Sequence, residues 1–292
     1  MNTQTILLAS AFLASVAAPA RTAAQPDSAC DSSCLSSVMG AFLEDVANAR
    51  ADSVPLLPGA EIRENGRPVA LAGTTWKSVK SVRSVLTFAD AVTANVVSRA
   101  GVELSDGKPG YISTRLKVGV GRRITDVELS VDTSPRVVGS YVWKLDPQLA
   151  AVLPLEQRLS RVELEALGRR YFNSLSSHVA VRSDFDERCN RFHSGQQITN
   201  VAGNSVEAGP PRTCAGALEG PVPWGPATEQ RFPVIDPERG IVFGITLLHY
   251  PERPKQPRMY VSEVFKVVGG KIVAIDNIGL MLEGVAHLGF AH

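Results

Sequence analysis

The sequence predicts an α+β protein made of two related halves, and three observations carry that prediction. Apolar residues recur at three- and four-residue spacing from Leu35 to Arg50 and again from Arg161 to Leu175, which is the signature of a half-buried helix. Each helical pattern is followed by several strand-like runs. Finally, the segment TRLKVGVGRRITDVELSV, starting at Thr114, aligns without gaps on SEVFKVVGGKIVAIDNIG, starting at Ser262.

In the first helix the apolar positions are Leu35, Val38, Met39, Phe42, Leu43 and Val46, with Ser32 or Ser33 as the cap. A segment rich in Pro and Gly follows, in which Asn65-Gly66 signals a hairpin turn between two short runs. Strands are predicted from Ser84 to Val97, Tyr111 to Val118 and Arg123 to Val131, and the pattern breaks up into a connector between Ser134 and Leu155. The second helix presents Val162, Leu164, Leu167, Tyr171, Phe172 and Leu175. Its strands are predicted from Arg231 to Ile235, Gly240 to Tyr250, Met259 to Val267 and Lys271 to Met281. In the gapless alignment Gly121 falls on Gly269, Arg115 on Glu263, Val127 on Ile275 and Glu128 on Asp276. Each copy reads as strand, Gly-centred turn, strand.

Residues 1–24 read as a secretory signal. Ile6 to Ala18 is apolar but too short to span a bilayer, and small residues at Ala18, Ala20, Ala23 and Ala24 offer a cleavage site. The start, MNTQT, brings no basic side chain to it. A periplasmic or secreted location follows, and about 268 residues remain, enough for two domains of ordinary size. Cys30, Cys34, Cys189 and Cys214 then read as disulfides; three pairings exist, and Cys30 with Cys34 and Cys189 with Cys214 is favoured because each closes a short local loop. Thirty basic residues against 29 acidic ones give no electrostatic reason for a nucleic-acid or anionic-membrane partner. A small molecule is the expected partner, and a homo-oligomer is compatible with the sequence.

A long amphipathic helix followed by strands that end in two long antiparallel ones resembles the nuclear transport factor 2-like (SnoaL-like) superfamily. That resemblance implies two tandem cone-shaped, cystatin-like domains at residues 30–146 and 155–285, each with helices packed on a curved antiparallel sheet. The second half also resembles a domain of unknown function of secreted fungal and bacterial proteins, through CNRFHSGQQITN (Cys189 to Asn200) and RFPVIDPERGIVFGITLLHY (Arg231 to Tyr250). Where those proteins carry an acidic residue before Asn-Gly, this chain has His193-Ser194-Gly195. The superfamily holds dehydratases, isomerases, cyclases and epoxide hydrolases beside proteins that only bind, so the fold leaves function to the site.

No nucleophile elbow, zinc-protease helix, phosphate loop or calcium loop occurs, and GVGRRI lacks the third glycine of a dinucleotide fingerprint. No metal and no cofactor is expected, which leaves side-chain acid–base chemistry in a pocket. His249 shares an alternating face with Phe243, Ile245 and Leu247 and is the leading base or acid, with a hydrogen-bonded structural histidine as the alternative. Glu263 lies in phase with Val261, Phe265 and Val267, and Asp276 among Ile272, Ala274 and Ile278; either is expected to partner His249. The alignment of Arg115 and Glu128 on Glu263 and Asp276 suggests a polar cavity in each half, or solvent exposure in both. His193, held beside a disulfide, is a further catalytic candidate, and Tyr260 a proton donor. Arg231, Arg191 and Trp224 are candidates for binding the substrate, Arg231 by holding a carboxylate or an oxyanion. Asp184 and Asp186 read as paired acid–base groups or half a metal site, or more simply as the acidic start of a solvated helix. The expected function is an exported, cofactor-independent lyase or isomerase acting on a small oxygenated or aromatic molecule. A non-catalytic ligand-binding or assembly protein is the alternative.

Overall fold

The computed structural model describes residues 30–201, 213–219, 225–249 and 258–290. The signal and Trp224 lie outside them. The two helical patterns form α1 (Ser32–Ala47) and, beyond a single helical turn α2 (Gly139–Val142) in the connector, α3 (Arg161–Ser177). The cap of α1 is Asp31 rather than a serine, its carboxylate accepting from the Cys34 amide at 2.8 Å; a charge at that end also meets the helix dipole. Ser160 and Glu163 close α3 with a reciprocal capping box.

Among the described residues twelve strands follow the same plan twice. The first half contains β1 (Leu56–Glu64), β2 (Arg67–Pro68), β3 (Val79–Asp90), β4 (Asn95–Leu104), β5 (Pro109–Val118) and β6 (Ile124–Asp132). The second contains β7 (Phe185–His193), β8 (Gln196–Gln197), β9 (Ala227–Asp236), β10 (Ile241–Leu248), β11 (Arg258–Val268) and β12 (Lys271–Leu282). The sheets run β2-β1-β6-β5-β4-β3 and β8-β7-β12-β11-β10-β9. Neither is wholly antiparallel, because β1 lies parallel to β6 and β7 to β12; the intervening strands provide the long connection that a parallel pair needs.

Two sequence readings change here. The run from Ser84 to Val97 is broken into β3 and β4, since the Asp90 carboxylate accepts from the Val92 amide at 3.0 Å and Ala94 turns at φ 53°, with no Gly or Pro to announce the bend. Asp184 ends a short turn and Asp186 lies within β7, so neither starts a helix.

Alternation along the strands sorts the buried residues into three cores. One joins α1 to the inner positions of the first sheet, among them Ile112, Leu116, Val127 and Leu129. Another joins α3 to Val242, Val261, Phe265, Val267 and Ile275 of the second. The middle core lies between the sheets and mixes Phe88, Val97 and Tyr111 with Phe243, Ile245, Leu247, Tyr260, Val264 and Ile278. The chain is therefore layered helix, sheet, sheet, helix.

Register explains why the gapless alignment holds for only one of its two strands. Residues 119–123 separate the paired Val118 and Ile124, five in all, whereas 268–271 separate the paired Val267 and Ile272, four in all. The alignment is correct for β6 on β12, placing Glu128 on Asp276, and one residue out for β5 on β11. Glu263 matches Thr114, and Arg115 matches Val264. Arg115 and Glu263 consequently lie on opposite faces of their sheets, and the inference that these two equivalent positions face a polar cavity in each half does not hold for this pair.

The middle core carries buried charge. Glu128 accepts from Arg115 Nε at 2.7 Å and from Arg231 of the other half at 2.6 and 3.2 Å, while Arg115 also donates to Asn95 at 2.8 Å. Burial pushes the Glu128 carboxyl up, but the Arg231 and Arg115 guanidinium groups outweigh it and hold it below the ordinary carboxylate value. Removing one member of such a group strands the others in low dielectric. Glu128→Leu should lower the unfolding free energy by about 3–5 kcal/mol, and adding Arg115→Met and Arg231→Met should recover most of the loss. Urea denaturation of the single and triple variants checks both.

Candidate active site

The polar side chains that meet on the α3 side of the second sheet come from three directions. Tyr171 sits on α3 with its ring against Phe265 and Phe185, centroids 4.7 and 6.2 Å away, which fixes where its hydroxyl points. Parallel pairing sets Arg191 beside Ile275 and His193 beside Asn277, and the antiparallel register sets Asn277 beside Glu263. Five polar groups from α3, β7, β11 and β12 thus share one sheet face.

Three of them bond to a single atom of a fourth. Asn277 Nδ2 donates to Glu263 Oε1 at 2.8 Å, Arg191 Nη2 at 3.0 Å and Tyr171 Oη at 3.2 Å. Among the described residues Glu263 Oε2 has no partner, and neither do Asn277 Oδ1 and Arg191 Nε. Glu263 is fully buried, and that burial raises its carboxyl above the ordinary value even though Arg191 and its hydrogen bonds pull the other way. With Oε1 saturated by three donors, a proton taken up by Glu263 belongs on Oε2.

His193 lies next to this group. Its Nε2 is 3.3 Å from the Gly279 carbonyl, which can only accept, so Nε2 carries the hydrogen and Nδ1 is left as the acceptor. Burial, reinforced by Arg191, pulls its pKa down to about 4. Gly279 lets these side chains close in on its backbone: a Cβ there would stand 3.0 Å from His193 Nε2 and 3.1 Å from Asn277 Oδ1, tighter than ordinary contact.

Glu263, Arg191 and His193 are therefore brought together, and the other sequence candidates among the described residues are not. His249 accompanies the inter-sheet phase of β10, and its Nε2 meets Thr228 Oγ1 at 2.5 Å, with no bond to Asp276 or Glu263. Asp276 faces the first sheet, because the bulge at Val273 turns its phase away from Ile272 and toward Ala274 and Ile278. There it accepts from Tyr111 at 2.7 and 2.8 Å and from Tyr141 at 3.0 Å. Tyr260 shares a 2.6 Å hydrogen bond with Ser130 across the middle core, and Arg231 is committed to Glu128. Asp184 pairs with Arg170 at the surface and Asp186 with Arg188. Sequence reading missed Tyr171, taken as a core position, and Asn277, hidden in an apolar strand.

The matched positions of the first half sharpen the contrast. Helices and first strands superpose in register, with Asp31 on Ser160 as caps and Asn65-Gly66 on Ser194-Gly195 as left-handed turns. Tyr171 then falls on Phe42, Arg191 on Ile62, His193 on Glu64, Glu263 on Thr114, Asn277 on Leu129 and Gly279 on Val131. Four of the first-half residues, Phe42, Ile62, Leu129 and Val131, are apolar and pack in its core. The fold itself needs no polar cluster at these positions.

Residues 157–279, which hold all five polar groups, match the family model described as a domain of unknown function, DUF8021. No curated protein matches the chain. Among solved structures it is similar to PrhC from Penicillium brasilianum NBRC 6234, at 10% identity and a TM-score of 0.28, over 34% of this chain and 80% of that one. A steroid delta-isomerase from Pseudomonas aeruginosa matches at 17% identity and 0.28, over 34% and 79%. A protein assigned as a ketosteroid isomerase in Kribbella flavida DSM 17836 matches at 16% identity and 0.30, over 41% and 78%. Cys30 pairs with Cys34 and Cys189 with Cys214. Among the described residues no helix is long and apolar enough to cross a membrane, and no group of three or more His, Cys, Asp or Glu is placed to hold a metal.

His193 supplies a test of the site's electrostatics. Its folded pKa of about 4 lies below the unfolded value of about 6.5, so the unfolded chain takes up the proton first. The stability it contributes is complete above the unfolded pKa and is lost as pH falls toward the folded one. Histidine NMR should show a ring that does not titrate between about pH 5 and 8, and His193→Asn should flatten the acid limb of stability against pH. A His193 resonance titrating at the ordinary value would contradict this.

Proposed function

We propose that the chain is an exported, cofactor-independent lyase or isomerase built from two cones of the nuclear transport factor 2-like (SnoaL-like) type, with its chemistry in the second. The observation that carries the reading is Glu263: a buried carboxyl with three donors on Oε1 and none on Oε2. Such a group is poised to take and return protons through one oxygen.

In this reading Glu263 Oε2 removes a hydrogen from a carbon next to a carbonyl. The C–H bond breaks, an O–H bond forms on Oε2, and the electron pair moves into an enolate whose charge rests on the carbonyl oxygen. Arg191 Nε–H stabilises that charge as it develops. Return of the Oε2 proton to a different carbon completes an isomerisation; its delivery to a departing β-hydroxyl, released as water, completes an elimination. Tyr171 and Asn277 orient the carboxyl, and His193 is a second acid–base group at the edge of the cluster. His249, Asp276, Tyr260 and Arg231 serve the fold instead.

Exchange of substrate hydrogens for deuterium, followed by proton NMR in D2O with a panel of enolisable ketones, tests the assignment without knowledge of the natural substrate. The wild type should accelerate exchange, and Glu263→Gln should lose on the order of 10²–10⁴-fold while its circular dichroism is unchanged. Equal exchange by both proteins would remove Glu263 from catalysis and leave the non-catalytic binding protein as the better reading.

A further inference from the structure

Each half sends a segment across to the other. After β6 the connector reaches the second half, where Val138 N donates to the Ser194 carbonyl at 3.1 Å, the Tyr141 ring stacks on Phe192 with centroids 4.3 Å apart, and the Tyr141 hydroxyl donates to Asp276. After β12, residues 283–290 reach the first half. Val285 and Leu288 press on the Asn65-Gly66 turn, where a Cβ on Gly66 would stand 3.0 and 3.3 Å from them; a Cβ on the matching Gly195 would stand 2.8 Å from Val142 and 3.1 Å from Tyr141. The Phe290 ring lies over the charges around Glu128, its centroid 4.6 Å from the guanidinium carbon of Arg115, 5.9 Å from that of Arg231 and 6.0 Å from that of Arg63. Since Gly66 matches Gly195 and Glu128 matches Asp276, Phe290 covers in the first half what Tyr141 covers in the second.

The two segments are fastened differently. The connector is also tied to the first half, because the Val142 carbonyl accepts from Ser84 Oγ and Trp143 Nε1 donates to the Val102 carbonyl at 2.9 Å. Residues 283–290 hold no helix or strand, and among the described residues none of their backbone groups bonds to another backbone group. Side chains fasten them instead. Arg67 and Arg258 donate to the Glu283 and Ala286 carbonyls, and the Glu229 carboxylate takes the Leu288 amide at 2.8 Å on one oxygen and His287 Nδ1 at 2.9 Å on the other. Phe290, lacking the hydroxyl of Tyr141, adds burial and ring contacts only. Gly284, at φ 67°, is a backbone joint at the start of the segment. A segment with few backbone bonds is where a fold opens locally. We propose that residues 283–290 form a strap that swings open about Gly284 while both sheets stay folded, with Glu229 as its clasp and the Phe290 ring as the cover that opening lifts from Arg63, Arg115 and Arg231. Opening lets water reach the Glu128 group, which draws one arginine from each half, and so weakens the pairing there.

Thiol labelling of the full chain tests the strap. All four cysteines are in disulfides, so an introduced cysteine is the single free thiol. Val285 is buried in the strap and Ala100 in β4, so Val285→Cys and Ala100→Cys report on strap and sheet respectively. With N-ethylmaleimide in native buffer the strap thiol should react at least about a hundredfold faster than the sheet thiol. Its rate should stay nearly flat in urea below the unfolding transition, because little surface is exposed on opening, while that of the sheet thiol climbs. Adding Glu229→Gln to Val285→Cys should speed labelling about tenfold, through loss of a charge-assisted clasp. Leu288→Cys stands in for Val285→Cys if circular dichroism shows the latter unfolded. Equal rates with equal urea dependence for the two thiols would overturn the proposal, because the segment would then open only with the whole fold. So would labelling of the strap thiol as fast as in the unfolded chain, which would mean that the segment is not docked. An unchanged rate after Glu229→Gln would also overturn it, since nothing would then mark Glu229 as the clasp.

Discussion

Two sheets packed face to face through a single middle core form the constraint on which the other layers depend. Because both sheets turn one face toward each other, each strand has to satisfy two apolar environments, the helix-covered one and the inter-sheet one. That accounts for strands such as β4 and β10, buried along nearly their whole length. Charged groups admitted to the middle core must be paired within it. Glu128 receives two arginines, one from each half, and Asp276 receives Tyr111 and Tyr141. Arg99 reaches the Ser262 and Asp276 carbonyls of the opposite sheet at 2.7 and 3.2 Å, between the rings of Tyr111 and Phe243. These bonds fix the register of one half against the other, because shifting either sheet by one residue would leave several buried charges without partners.

The same constraint explains what the sequence revealed and what it hid. The two helices, the Asn65-Gly66 turn and the closing β11–β12 hairpin were legible because each depends on local patterning or turn chemistry. The β3–β4 turn was not, since Asp90 makes it with its carboxylate and Ala94 with an unadvertised left-handed backbone. Strand β7 was hidden by its polarity: Asp186, Glu187, Arg188 and Arg191 read as a solvated segment, although the strand lies parallel to β12. Parallel pairing between distant segments leaves no local mark.

Site residues followed a similar logic. Alternation correctly grouped Glu263 with Val261, Phe265 and Val267, and β11 keeps that phase along the helix-covered face. Alternation failed for Asp276 because one bulged residue, Val273, separates it from Ile272. It also favoured His249 for a face that proves to be the inter-sheet face. A period of two states which residues share a side, but not which side holds a helix and which a second sheet. Tyr171 and Asn277 looked like packing residues in isolation; set against Phe42 and Leu129, their polar atoms become the anomaly.

That comparison bears on how the halves divide the work. The first half fills its helix-covered face with Phe42, Ile62, Leu129 and Val131 and spends Glu64 on the Thr75 amide and hydroxyl at 2.7 Å each. The second half keeps the same order of strands and the same turn geometry but places Tyr171, Arg191, Glu263 and Asn277 there, with Gly279 for valine. Burying those groups opposes folding, and apolar burial in the other two cores offsets it. A half whose interior is given to polar chemistry gains by being joined, in one chain, to a half whose interior is given to packing. Stability can then be drawn from one layer while the other carries the cost of its incompletely bonded groups.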